Sequence, residues 1–251
     1  MPLVGLELSD RVAWLTLNRP EVLNALDRAS VGEFAARIHE LGECDDVRVV
    51  VTRGAGRAFC AGSDLRDLAP LSSAEASEAE REHGAAFALL DAVPWPTIAV
   101  LHGYTLGGGL GLALYHDFRI AAESTILGMP EVELGWTPPW AMGRLVDLVG
   151  GASARWLALS GERISAAEAR ALGLVHEVVP DDQLTARAES LARRLAAMPP
   201  EGLSQTKALI NRMSPLRAPE WDEAAARAFE ACWGRPEARA NVEAFLERRK
   251  R

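Results

Sequence analysis

Apolar and polar positions alternate over residues 4–8 and again over residues 12–17, with Ser9-Asp10-Arg11 between them, which predicts a hairpin-like pair of strands. Asn18-Arg19-Pro20 breaks the second strand. Val31, Phe34, Ala35 and Ile38 then recur at helical spacing. The β-branched run at 47–51 and the apolar run at 97–101 have the character of buried parallel strands, and residues 74–92 between them read as a helix. Gly107-Gly108-Gly109 leads into an apolar helix over 110–115, followed by a further strand at 118–121. Strands alternating with helices predict an α/β fold with much parallel pairing. Ser165 and Glu168 form a capping box, and Gly173 stands where that helix should end.

From Asp181 the pattern changes to Ala-, Leu- and Arg-rich helical segments over 182–198, 201–213, 219–232 and 236–249, divided by Pro199-Pro200, Pro215 and Pro236. The chain therefore divides into an α/β core over 1–195 and a helical module over 196–251. That module is too thin to bury its own apolar faces, so it should pack on the body or on another subunit.

Composition narrows the function. With 49% hydrophobic and 25% charged residues in 251, the chain is that of an ordinary globular protein. No run approaches the ~18 apolar residues that would span a bilayer, and the acidic, alternating start has neither signal-peptide nor transit-peptide character. Cys44, Cys60 and Cys232 form no CxxC pair, which fits a reducing cytoplasm and no zinc site. A net charge of −8, from 27 basic against 35 acidic residues, argues against nucleic acid as a partner. The basic cluster Arg248-Arg249-Lys250-Arg251 runs against this balance. It suits either a helix end complementing the helix dipole or a phosphate contact, and composition does not choose.

Common chemistries fail on inspection. Neither Lys207 nor Lys250 follows a glycine, so there is no P-loop. A dinucleotide fingerprint needs a third glycine where Phe59, Leu112 or Leu114 stands, and no GxSxG elbow occurs. His39-Glu40 and His176-Glu177 lack the second histidine of a zinc-protease motif. His102 and His116 sit in apolar surroundings, as packed core histidines do.

Three features remain. Phe59-Cys60-Ala61-Gly62-Ser63-Asp64-Leu65 and Gly103-Tyr104-Thr105-Leu106-Gly107-Gly108-Gly109 each follow a buried strand. Glycines there leave backbone N–H groups uncovered, and two such donors converging on one oxygen make an oxyanion hole. The same glycines would equally serve close helix–strand packing. The third feature is Met129-Pro130-Glu131-Val132-Glu133-Leu134-Gly135, which places a carboxyl in an apolar loop beside Trp136 and Trp140. Apolar surroundings raise a carboxyl pKa towards the range of general acid–base catalysis, and the tryptophans would wall a pocket.

In order and spacing these features, with Asn18-Arg19-Pro20 and Asn24-Ala25-Leu26 upstream, closely resemble the crotonase (enoyl-CoA hydratase/isomerase) superfamily. So do Leu159-Ser160-Gly161-Glu162-Arg163-Ile164-Ser165-Ala166, Gly173-Leu174-Val175 and the terminal Ala244-Phe245-Leu246-Glu247-Arg248 downstream. The resemblance implies a spiral of repeated ββα units with a C-terminal helical module that builds a trimer or a dimer of trimers. It implies an acyl-CoA thioester as substrate and no separate cofactor, coenzyme A being part of the substrate. Ala61 and Gly108 would supply the oxyanion-hole N–H groups, Ser63, Asp64 and Leu65 would meet the adenine end, and Arg248 a nucleotide phosphate.

Hydratases of the superfamily hold water between two glutamates. The position of the first is Gly111 here, and the second corresponds to Glu131. A backbone N–H that helps hold the water falls at Pro139, which has none. One retained glutamate resembles the isomerase branch, in which a single carboxylate moves a proton from C2 to C4 of a 3-enoyl thioester. The expectation is therefore a 3-enoyl-CoA to 2-enoyl-CoA isomerase. Hydration, with Glu133 as the nearest substitute carboxylate, acyl-CoA decarboxylation and a non-catalytic acyl-CoA-binding protein are the alternatives.

Overall fold

The structure, a computed structural model, describes residues 2–214, 216 and 219–248. The chain opens with β1 (Val4–Ser9), β2 (Val12–Leu17) and α1 (Arg28–Gly42), the helix starting on an Asp27 capping box. Three strand–strand–helix units follow. The first is β3 (Val49–Gly54), β4 (Ala58–Cys60), the short α2 (Leu65–Leu68) and α3 (Ser73–Ala92). The second is β5 (Thr97–Leu101), β6 (Tyr104–Leu106) and α4 (Gly108–Leu114). The third is β7 (Phe118–Ala122), β8 (Ile126–Gly128) and α5 (Met142–Ser160). Next come β9 (Ile164–Ser165), α6 (Ala166–Ala171) and β10 (Glu177–Val179). The chain closes with α7 (Leu184–Ala196), α8 (Pro200–Met213), α9 (Pro219–Trp233) and α10 (Pro236–Arg248).

The first strand of each unit joins one sheet and the second strand another. The six-stranded sheet runs β1-β2-β3-β5-β7-β10, parallel except for the β1–β2 hairpin. The four-stranded sheet runs β4-β6-β8-β9. This is the expected crotonase-like succession of ββα units.

Strand periodicity explains how the large sheet is buried on both faces. Val50, Ala99, Leu101 and Ala121 point into the main core with Phe34, Phe87 and Leu145. Their neighbours Val49, Val51, Ile98, Val100 and Ile120 point to the opposite face, covered by Leu184, Ala188, Leu191 and Leu195 of α7. Helices α8 to α10 fold back on the body. Lys207 of α8 donates to Leu90 O at 2.7 Å and Trp95 O at 3.0 Å, and pairs with Asp117 at 2.9 Å. Asp222 of α9 accepts from Tyr115 Oη at 2.6 Å and from Ala141 N at 2.8 Å. Phe229, Trp233, Ala238 and Val242 of α9 and α10 share a third apolar cluster with Leu68 and Trp136. Of the expected sequence breaks, Pro215 lies outside the described residues, as does Arg249, the last residue of the helical segment expected over 236–249. No helix among the described residues is long and apolar enough to cross a membrane.

Candidate active site

The two glycine-bearing junctions meet at the ends of β4 and β6, and the loop after β8 closes over them. Gly107 has φ +54, a conformation that favours glycine, and its N–H donates to Gly128 O at 2.9 Å. A Cβ on Gly109 would stand 2.3 Å from Cys60 O, so this glycine permits the close approach of α4 to β4. Both readings of the triplet therefore hold, at different residues. Between them Gly108 begins α4, where an N–H has no intrahelical acceptor. A Cβ on Gly108 would lie 3.5 Å from Ser63 N and 3.3 Å from Ser63 Oγ.

The expectation for Ala61 is corrected by its hydrogen bonding. Its N–H donates to Leu23 O at 3.0 Å and is not available to a ligand. Two residues on, the Ser63 N–H faces Gly108 and makes no hydrogen bond among the described residues. The upstream Asn-Arg-Pro segment fixes this loop. Arg19 pairs with Asp64 at 2.9 Å and Asp27 at 3.0 Å, and Asn24 Nδ2 donates to Ala55 O and Ala58 O. The Asp64 carboxylate is thus an anchor that also accepts from Arg66 N at 3.1 Å, and its own N–H is bound to Leu26 O.

Ala61, Ser63, Asp64, Leu65, Gly107, Gly108, Glu131, Trp136 and Arg248 all line one cavity of about 730 Å³. Glu131 sits in a single 3₁₀ turn, Pro130–Leu134, and is 8% exposed. Its Oε1 lies 3.0 Å from the place a Cβ on Gly107 would take, and its buried Oε2 has no hydrogen-bond partner. Burial, helped by the charge of Glu80, pushes this carboxyl up to about 8. Trp136 packs edge-on against Trp233, centroids 5.0 Å apart, and backs the loop. Arg248 is exposed at the rim, while Arg249, Lys250 and Arg251 lie outside the described residues.

Trp140 does not wall the cavity as expected. It is buried behind α4, against Phe87 and Tyr115, and fills the space over Gly111. A Cβ on Gly111 would stand 2.4 Å from its Cζ3. Glu133 pairs with Arg163 at 3.2 Å, which ties it to an exposed ion pair.

The carboxylate that sequence reading missed is Glu80, on α3. It is 1% exposed, lines the cavity, and accepts a hydrogen bond from Trp140 Nε1 at 2.8 Å. Burial raises its pKa, but attraction to His83, whose Nδ1 lies 3.5 Å away, and the donors Ser63 and Trp140 outweigh that, leaving it below the usual carboxylate range. Cys60 is buried, its thiol pushed up to about 12, and offers no thiolate nucleophile. No cluster of three or more His, Cys, Asp or Glu among the described residues is placed to hold a metal.

The family profile described as enoyl-CoA hydratase/isomerase matches residues 7–251. A Mycobacterium tuberculosis protein described as a probable enoyl-CoA hydratase is 36% identical over 246 residues, covering 97% of this chain and 94% of that protein. A crotonyl-CoA hydratase of Syntrophomonas wolfei is 33% identical, covering 98% of this chain and 95% of its own length. Among solved structures, an enoyl-CoA hydratase/isomerase from Xanthobacter autotrophicus superposes with a TM-score of 0.90 at 32% identity, covering 97% of this chain and 93% of that one.

Proposed function

The chain belongs to the enoyl-CoA hydratase/isomerase family, and we propose that it adds water across the 2,3 double bond of a 2-enoyl-CoA thioester through a stabilised enolate. The observation that carries this reading is Glu131, a buried carboxyl with an unpartnered oxygen, set in the cavity beside two N–H groups that have no acceptor among the described residues. In this reading the Ser63 and Gly108 N–H groups hold the thioester oxygen as charge develops on it, each donor contributing about 10²–10³ in rate. With a pKa of about 8, Glu131 carries its proton at neutral pH and delivers it to C2. Arg248 at the rim meets the nucleotide phosphates, and Leu65 and Trp136 line the approach. Relatives described as hydratases support hydration over the double-bond shift that the sequence led us to expect.

The isomerase reading keeps one specific support. Gly111 has no side chain, and Pro139, which does line the cavity, has no N–H for a water. Incubation with 2-enoyl- and 3-enoyl-CoA, followed by mass, separates the two, since hydration adds one water and isomerisation leaves the mass unchanged. Hydration of the 2-enoyl thioester is expected. Conversion of the 3-enoyl thioester with no hydrated product would replace this reading with the isomerase one.

A trimer or a dimer of trimers is part of the same proposal. Trp156 and Leu159 on α5, Leu209, Ile210 and Met213 on α8, and Trp221 on α9 are exposed, more apolar surface than isolated helices normally leave in water. Mass measurement at micromolar concentration should give a multiple of three chains, and a monomer would remove this part.

A further inference from the structure

We propose that Glu80 is the second carboxylate of the catalytic site, the group that holds and deprotonates the water added to C3, and that Trp140 positions it. The proposal rests on the hydratase reading above. Its basis is an exchange of places inside the cavity wall. On α4 the nearest position from which a side chain could enter beside Gly108 is Gly111, and the Trp140 ring occupies that space, 2.4 Å from where a Cβ would stand. The same indole turns its N–H to Glu80 on the neighbouring helix α3, at 2.8 Å, and Glu80 lines the cavity that contains Glu131 and Gly108. One residue thus closes the α4 wall to a carboxylate and orients another towards the same cavity.

The surroundings of Glu80 are those of a held ion. His83, one turn on along α3, is buried, its ring nitrogens make no hydrogen bond among the described residues, and its Nδ1 lies 3.5 Å from Glu80 Oε2. The Ser63 hydroxyl also favours the ionised carboxylate, and the Glu80 charge in turn helps Glu131 keep its proton. Two carboxyls driven apart in pKa within one cavity divide into an acid and a base.

The chemistry balances. The water oxygen bonds to C3 as the C2=C3 pair moves into the thioester, giving an enolate oxygen beneath the Ser63 and Gly108 N–H groups. Glu80 takes the proton that leaves the water. The enolate pair then forms a C2–H bond with the Glu131 proton. One water has been added, and the proton on Glu80 returns to Glu131 through water in the cavity.

Glu80→Gln tests this, because its amide oxygen can still accept from Trp140 while the base is gone. Two reactions are followed on the same preparation: hydration of 2-enoyl-CoA, and exchange of the C2 protons of a saturated acyl-CoA with solvent deuterium. The exchange needs Glu131 and the N–H pair but no bound water, and it reports that the variant is folded. Hydration kcat should fall about 10²-fold or more with KM little changed, while exchange is retained or rises, since loss of the Glu80 charge leaves more of Glu131 ionised. Trp140→Phe, which keeps a ring over Gly111 and removes the donor, should lower hydration kcat about tenfold and spare exchange. Glu80→Asp, which keeps the charge, should hydrate faster than Glu80→Gln. Hydration by Glu80→Gln within about threefold of wild type overturns the role of Glu80 and leaves the hydratase reading standing. Parallel loss of both reactions makes Glu80 structural and overturns its role equally. A wild-type protein that exchanges C2 protons without hydrating removes the hydratase reading itself, and this proposal with it.

Discussion

Glu131→Gln is expected to lower turnover by about 10²-fold or more and, at the same time, to make the protein more stable at pH 8.5. The first effect follows from loss of the only group proposed to exchange a proton with C2, while the amide keeps the shape of the loop. The second follows from burial. The Glu131 pKa stands at about 8 in the folded protein against 4.5 for an ordinary glutamate. Between those values the unfolded chain gives up a proton that the folded protein retains, so stability falls as pH rises through this window and the full deficit is present above about 8. At about 1.4 kcal/mol per unit this is a few kcal/mol, and glutamine, which does not titrate, escapes it. Thermal unfolding of both proteins at pH 5 and 8.5, with kcat measured alongside, provides the check. A stability difference that is the same at both pH values would show that Glu131 is not held protonated by its surroundings. Wild-type turnover in Glu131→Gln would remove it from the chemistry.

Gly111→Glu, the substitution that would restore the two-glutamate pattern on paper, is expected to cripple folding instead of adding a catalytic group. A Cβ there meets Trp140 Cζ3 at 2.4 Å, Cη2 at 2.9 Å and Cε3 at 3.0 Å. The ring cannot swing away cheaply, since Phe87 and Tyr115 pack on it and Glu80 holds its N–H. Overpacking alone costs about 1–3 kcal/mol, and a second carboxylate buried near Glu80 adds several more. Together they approach the whole stability of a typical domain, roughly 5–15 kcal/mol. Gly111→Ala should lose about 1–2 kcal/mol, the gain in helix propensity offsetting part of the clash. Urea unfolding of the two variants reads these losses directly. A Gly111→Glu protein as stable as wild type would mean that Trp140 is free to move, which would also undercut its positioning of Glu80.

The long periodic elements were legible in the sequence because period alone identifies them: the opening hairpin, α1, α3, the strands β3, β5 and β7 of the large sheet and the four C-terminal helices. The small sheet was not. β4, β6 and β8 have three residues each, too few to display alternation; β4 and β6 appeared only as glycine-flanked junctions, and β8, like the three-residue β10 of the large sheet, did not appear at all. Helix α5 was hidden by Gly150, whose φ of +73 interrupts it. In the site, residue type and motif spacing located Glu131 and Gly108, but no pattern tells which N–H of a loop is already bonded, and so Ala61 stood in for Ser63. Glu80 was masked by its neighbours. Glu75, Glu78 and Glu82 make α3 read as a solvated acidic helix, yet Glu80 and His83 fall in line with Ala76, Phe87 and Leu90 on its buried stripe. Two ionisable residues at i and i+3 on an apolar face were the available signal.

The cavity wall includes Asn241, Ala244, Phe245, Leu246 and Arg248, so the last helix is a side of the container as well as part of the fold. Only Ala238 and Val242 of α10 are fully buried, which makes this helix a natural candidate for opening independently of the sheets. A ligand resting against it joins two equilibria, because whatever binds the closed form holds the helix down by the same free energy. At a hundredfold excess over Kd that amounts to about 2.7 kcal/mol. Amide hydrogens of α10 are therefore expected to exchange more slowly in the presence of an acyl-CoA, and unchanged exchange would separate this helix from binding.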